Sequence, residues 1–153
     1  MSNPLRRWPA PFLVAALSLQ PLAALACDET AGTTMEQGAS VSVGRIADLT
    51  WVVTEVAAQP VADTAGLSFS VAHDGAITGN GGCNSFAGHA DLDAGVMTIG
   101  PLLSTRMACD EDRMALEARY LKALEQVRWF VLDTTGHLRL QREDGSLVLC
   151  LRP

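Results

Sequence analysis

Nowhere in the 153 residues do lysines and arginines gather into a run, and 11 basic residues face 17 acidic ones. Nucleic-acid binding needs a clustered positive footprint, and docking on anionic lipid needs the same, so charge excludes both as direct partners. Metal-ligand spacings are missing as well. His73, His89 and His137 belong to no HExxH motif, and the cysteines form no CxxC pair. Ser85 and Ser104 lack the context of a nucleophile elbow, and no Ser-His-Asp order emerges. The glycine-rich stretch Gly79–Gly88 has no Gly-Lys-Ser/Thr ending, and Asn84 stands where a dinucleotide fingerprint carries its third glycine. Asp91-Leu92-Asp93 opens like a calcium loop, but Val96 and Leu102 occupy the positions that need glycine and glutamate. No catalytic residue, metal or cofactor is therefore expected, and the chain reads as a non-enzyme.

What is present begins with an N-terminus built for export. Arg6 and Arg7 precede an apolar stretch, Pro11 to Ala26, that is too short to span a bilayer comfortably and ends Ala24-Leu25-Ala26 before Cys27. Residues 1–26 read as a signal peptide. Their removal takes two basic residues and no acidic one, leaving a mature net charge of −8. A cysteine directly after such a segment is also where bacterial lipoproteins receive lipid. Ala26 fits that pattern and Ala24 and Leu25 fit it poorly, so Cys27 is a candidate lipidation site alongside ordinary cleavage. Residues 27–44 are small, polar and without period, and read as a flexible tether.

The four cysteines are Cys27, Cys83, Cys109 and Cys150. In an exported protein disulfides are chemically permitted, and four cysteines admit three connectivities. Cys83 and Cys109 lie in two short turn-like segments, so the expected bridge joins these loops. Closing such a loop stabilises a fold by roughly 3–4 kcal/mol in the chain-entropy model. Cys150 is expected as a buried thiol, since free cysteine packs as a small hydrophobe.

From Arg45 to Pro153 the pattern is that of one mainly β domain. Leu49–Val56 is rich in β-branched and aromatic residues, and Leu67–Val71 alternates apolar with polar. His73-Asp74-Gly75 supplies a hairpin turn into Ala76–Gly79. Ser85–Asp91 and Val96–Ile99 form a second hairpin about Asp93-Ala94-Gly95, and Leu138–Gln141 and Leu147–Leu151 a third about Glu143-Asp144-Gly145. Between them, Asp110-Glu111-Asp112 places acids at a helix start, and Leu116, Tyr120, Leu124 and Val127 recur at helical spacing. In the glycine-rich segment, Gly79, Gly81 and Gly82 are expected to relax the backbone, with Asn84 as a turn residue. Arg106 is expected to pack or hydrogen-bond beside the Cys109 turn.

Certain residues, in order, carry a family resemblance. They are Trp51, then Gly79-x-x-Gly82-Cys83-Asn84-x-Phe86-x-Gly88, then Ser104-Thr105-Arg106-Met107-Ala108-Cys109. Glu117-x-x-Tyr120-Leu121-x-x-Leu124, Leu138-x-Leu140 and Gly145 complete the series. From about Leu49 to the C-terminus the chain resembles the META domain of HslJ-like envelope proteins. The resemblance implies an α+β, mainly β fold: a small antiparallel, open barrel-like sheet with one substantial helix. It implies exported or lipid-anchored bacterial proteins, some tied to heat shock, novobiocin tolerance, motility or virulence, and it supplies no catalytic residues. The positions it marks as loop-shaping are Gly79, Gly82, Asn84, Gly88 and Thr105.

The function expected is a periplasmic module that binds an envelope protein or supports the envelope under stress, touching membrane only through a lipidated Cys27. The alternative is a small-molecule or lipid-binding barrel lined by Trp51, Phe69 and Phe86, although barrels of this size more often fill with side chains.

Overall fold

The computed structural model describes Cys27 and residues 43–153. The expected signal peptide and nearly all of the expected tether lie outside the described residues. The rest is α+β and mainly β. The strands are β1 (Thr50–Val56), β2 (Gln59–Pro60), β3 (Leu67–Val71), β4 (Ala76–Gly81), β5 (Ser85–Asp93), β6 (Val96–Ile99) and β7 (Leu103–Ser104). After helix α1 (Glu111–Glu125) come β8 (Trp129–Leu132), β9 (Leu138–Gln141) and β10 (Leu147–Arg152).

Eight strands run antiparallel in the order β1-β3-β4-β5-β6-β8-β9-β10, and β10 pairs back onto β1 through Val53↔Leu151 and Val56↔Leu149. That last pairing closes the sheet into a barrel, with β2 added on β1 and β7 on β5. Closure removes the exposed strand edges that an open sheet leaves for aggregation. The register slips between Val53 and Glu55 and between Leu147 and Leu149, in the two closing strands, and such irregularities raise local bend and twist.

Alternation sets the interior. Val53, Phe69, Ile77, Phe86, Phe130, Leu140 and Leu149 are all buried in one core. Helix α1 starts as its sequence dictates: the Asp110 carboxylate accepts from Arg113 N–H at 3.0 Å, and Glu111 and Asp112 occupy the first turn. It packs onto β4, β10, β1 and β6 and sends Tyr120, Ala123 and Leu124 into the barrel core.

Three short elements carry little local signal in the sequence. β8 follows the helix after only three residues, β7 pairs just Leu103 and Ser104 with β5, and β2 is two residues long. The glycine-rich segment is also more regular than expected, with β4 running through Gly79, Asn80 and Gly81.

Candidate functional site

Three of the sequence landmarks, the Gly79–Gly88 segment, Ser104–Cys109 and Glu117, converge on one corner, where the end of β4, the start of β5, residues 102–109 and α1 meet. Asn84 is its centre, and is the one polar side chain in the buried set of described residues. Its backbone N–H donates to Glu117 Oε2 at 2.7 Å and its Nδ2 to Glu117 Oε1 at 3.0 Å. The same Nδ2 makes a longer bond to Met107 O at 3.4 Å. Oδ1 accepts from Thr105 Oγ1 at 2.9 Å and from Met107 N–H at 2.7 Å. A primary amide offers two donors and two acceptor lone pairs, and all four are used. A buried amide costs stability unless paired, so this side chain tolerates its burial only while loop and helix stay in place.

The glycines around it serve two distinct purposes. Gly82 sits at φ +97° and needs glycine for its backbone conformation, while its N–H is held by Asn80 Oδ1 at 2.7 Å. Gly79, Gly81 and Gly88 have no positive φ. They are close-approach positions: a Cβ at Gly79 would strike the Ser68 carbonyl and the Phe86 ring, at Gly81 the Glu117 side chain, and at Gly88 the Leu102 side chain. The expectation that Gly79 and Gly81 relax the backbone is therefore corrected. They are missing side chains that make room for Phe86 and Glu117. Phe86 then meets Tyr120 edge-on, with ring centroids 5.7 Å apart, and the Tyr120 hydroxyl donates to Ser68 O at 3.0 Å. Burial pushes the Tyr120 hydroxyl pKa far up, so it remains a neutral donor.

Cys83 and Cys109 form a disulfide across this corner, with Cα atoms 6.0 Å apart. The other expectation for the cysteines is corrected. Cys150 is buried, but its sulfur is bonded to Cys27, with Cα atoms 6.3 Å apart. Both separations lie in the normal disulfide range. Nothing local could show the second pairing, since 123 positions separate the two cysteines.

The family model for the META domain matches residues 44–153. The chain belongs to the META domain family. No curated protein matches it in sequence. Its fold is similar to an NMR structure of a protein from Burkholderia xenovorans, at 22% identity and TM-score 0.57 over 74% of this chain and 86% of that one. A second NMR structure matches at 23% identity and TM-score 0.56, over 71% of this chain and 92% of the other. A crystal structure of a DUF4847 family protein from Bacteroides vulgatus matches at 15% identity and TM-score 0.53, over 70% and 93%. At these identities the likeness is one of fold.

In this META domain the histidines stay apart. His73 pairs with Asp48, His137 lies beside Asp133 and Thr135, and no group of three His, Cys, Asp or Glu among the described residues could hold a metal ion. Cys83 is committed to its disulfide. Trp51, Phe69 and Phe86, the expected lining of a ligand barrel, are each no more than 3% exposed and packed against the core.

An accessible concavity among the described residues lies outside the barrel. An open groove of about 640 Å³ runs between residues 102–108 and α1, with Asn84 and Glu117 in its lining. Leu103, Met107 and Met114 stand on its walls at 79%, 60% and 48% exposure. Arg106 also lines it and is exposed, where a packed or hydrogen-bonded role was expected. Glu117 is the residue that sequence reasoning undervalued. It stands in the family pattern, but only the fold shows that its carboxylate binds Asn84.

Proposed function

We propose that this META domain is a non-enzymatic cell-envelope module that binds a protein partner through the groove between residues 102–108 and α1, in support of the envelope under stress. One observation carries the reading. Of the six large apolar side chains left exposed among the described residues, Leu103, Met107 and Met114 gather on this groove. Clustered exposed apolar surface on a rigid base is a mark of an interaction site. Methionine suits such a surface because its flexible, polarizable chain adapts to a partner. The base is rigid because the Cys83–Cys109 bridge and the Asn84 bonds hold residues 105–109 from beneath. Export to the periplasm is part of this proposal and rests on residues 1–26.

The alternative, a ligand inside the barrel, is disfavoured by how completely Trp51, Phe69, Phe86, Tyr120 and Phe130 occupy the interior. A photo-crosslinking residue at Met107 should trap one reproducible partner in intact envelopes, while the same residue at Val131, also exposed but outside the groove lining, should not. Met114→Glu, added to the chain that carries the crosslinker at position 107, should abolish the adduct and shift the thermal midpoint by no more than about 2 °C, since surface substitutions usually change stability by less than about 0.5 kcal/mol. No site-dependent adduct, together with lipid retained on the purified protein, would move the reading to the ligand-carrying barrel.

A further inference from the structure

Cys27 occupies a position that two chemistries can claim. It follows Ala24-Leu25-Ala26 directly, so cleavage there makes it the first residue of the exported chain. In the fold it lies against the last strand. Leu149 and Leu151 pair with core residues on both neighbours, Val56 and Val53 on β1 and Leu140 and Leu138 on β9. Cys150 lies between them in a run of four buried residues, Val148 to Leu151, is 1% exposed, and has its sulfur bonded to Cys27.

We propose that the Cys27–Cys150 bridge takes the place of a lipid anchor at Cys27, so that the mature domain is released from the membrane with its N-terminal residue fastened to β10. Sulfur chemistry makes the two fates exclusive. A lipid anchor would consume Cys27 Sγ in a thioether, and the disulfide consumes the same atom. Forming the bridge takes two electrons and two protons from the two thiols. A disulfide-carrying oxidoreductase of the export compartment accepts them through a mixed disulfide and leaves as its dithiol. The sequence agrees, because Ala24 and Leu25 fit a lipid-directing motif poorly while Ala-x-Ala fits ordinary cleavage. The surface that binds a partner then acts from solution, not from a tether.

The proposal rests on reading residues 1–26 as an export signal, and the experiment separates the two ideas. The full-length chain is expressed in an exporting bacterium and fractionated. Its intact mass is measured without reduction, and its non-reduced digest is mapped. The expected result is residues 27–153 in the soluble periplasmic fraction, at the mass of two disulfides, with a Cys27–Cys150 linked peptide that disappears on reduction. Maleimide should leave wild type unlabelled until it is reduced, and should label Cys27 in Cys150→Ser without reduction. A diacylglyceryl mass on Cys27 with a free Cys150 thiol would overturn the proposal. So would a cleaved, unlipidated chain whose Cys27 and Cys150 both label without reduction, which leaves export standing. An uncleaved cytoplasmic chain would overturn the export reading and the proposal with it.

Discussion

The corner at Cys83–Asn84 and the hairpin at Ala57–Ala58 both turn the chain between strands, and they do so with opposite chemistry. At the corner each unusual demand has a suitable residue. Gly82 takes the positive φ, a disulfide spans the turn, and Asn84 satisfies four polar partners. At the hairpin Ala57 and Ala58 sit at φ 50° and 60° with no side chain to bond the backbone. Left-handed backbone costs an L-residue roughly 1–2 kcal/mol, which is why hairpins of this shape favour Asn-Gly. The corner is over-determined, whereas the hairpin is held in place by its surroundings. Ala57 N–H bonds Val148 O at 2.8 Å, and the Gln59 side chain bonds Arg119 on the helix. Where two loops and a helix must agree, the turn is built from its own residues; where a closed barrel already fixes the strands, strain is tolerated.

Breaking the corner should therefore have the largest effect. Asn84→Ala strands the Met107 N–H and leaves the Glu117 carboxylate with only the residue-84 backbone N–H of its two partners. Each group left unpaired costs about 1–3 kcal/mol, near the low end here because these bonds are part-buried beside the groove, so a loss of about 3–4 kcal/mol is expected in urea unfolding, with hydrogen exchange rising at residues 105–109. Asn84→Asp sharpens the point. It removes the Nδ2 donor and sets a second carboxylate against Glu117, so it should be destabilised at neutral pH and partly rescued on acidification, when one carboxyl regains a proton to donate. Wild-type stability in either variant would show that the network is decorative.

The Cys83–Cys109 bridge spans the same corner with 26 residues of separation, and the chain-entropy estimate for it is about 3.5 kcal/mol. Cys109→Ser should lose about that much under oxidising conditions, and the difference from wild type should shrink towards zero when both proteins are reduced. Because Asn84 still holds Thr105 and Met107, amide chemical shifts over the corner should keep a native pattern in the variant. Collapse of that pattern would mean that the disulfide, and not the amide, organises the loop.

The hairpin should respond in the other direction. Replacing Ala57 by Asn and Ala58 by Gly relieves the positive-φ penalty at both positions, at the cost of glycine's extra freedom in the unfolded chain. A gain of about 1 kcal/mol is expected in the thermal or urea midpoint. A loss would show that those alanines make contacts worth more than their strain.

Particular residues show what a single sequence can reveal. Leu67–Val71 announces its strand by alternation, Asp110 its helix start by acid placement, and Cys83 and Cys109 their pairing by turn context. All three are local signals. Closure of β10 on β1, the Cys27–Cys150 bridge and the hold of Glu117 on Asn84 join residues 33 to 123 positions apart, where periodicity carries no information. Trp129–Leu132 is a local miss of another kind: its short apolar run abuts the helix and has no turn residue to separate them. The Ala57–Ala58 turn is silent because it lacks the glycine or asparagine by which such turns are recognised.

Between the two extremes lies the turn from β8 to β9, and it gives the smallest prediction. Gly136 takes the positive φ there, and Asp133 Oδ1 accepts from Thr135 N–H at 2.9 Å, Thr135 Oγ1 at 2.7 Å and His137 N–H at 2.9 Å. Partial burial by itself pushes the Asp133 carboxyl up. The bonds from Thr135 and His137 and the nearby His137 ring outweigh it, so the net pKa lies below the ordinary value. A carboxylate lowered on folding contributes stability above its unfolded pKa and loses it as pH falls through the folded one. Asp133→Asn keeps an acceptor oxygen and removes only the charge, so it should cost under about 1 kcal/mol at neutral pH. Its deficit against wild type should narrow as the pH falls below about 4, the usual aspartate pKa, where wild type gives up the same charge. A deficit constant from neutral to strongly acidic pH would assign the turn's stability to hydrogen-bond geometry alone and place it with the Asn84 corner, which works without a charge on its central residue.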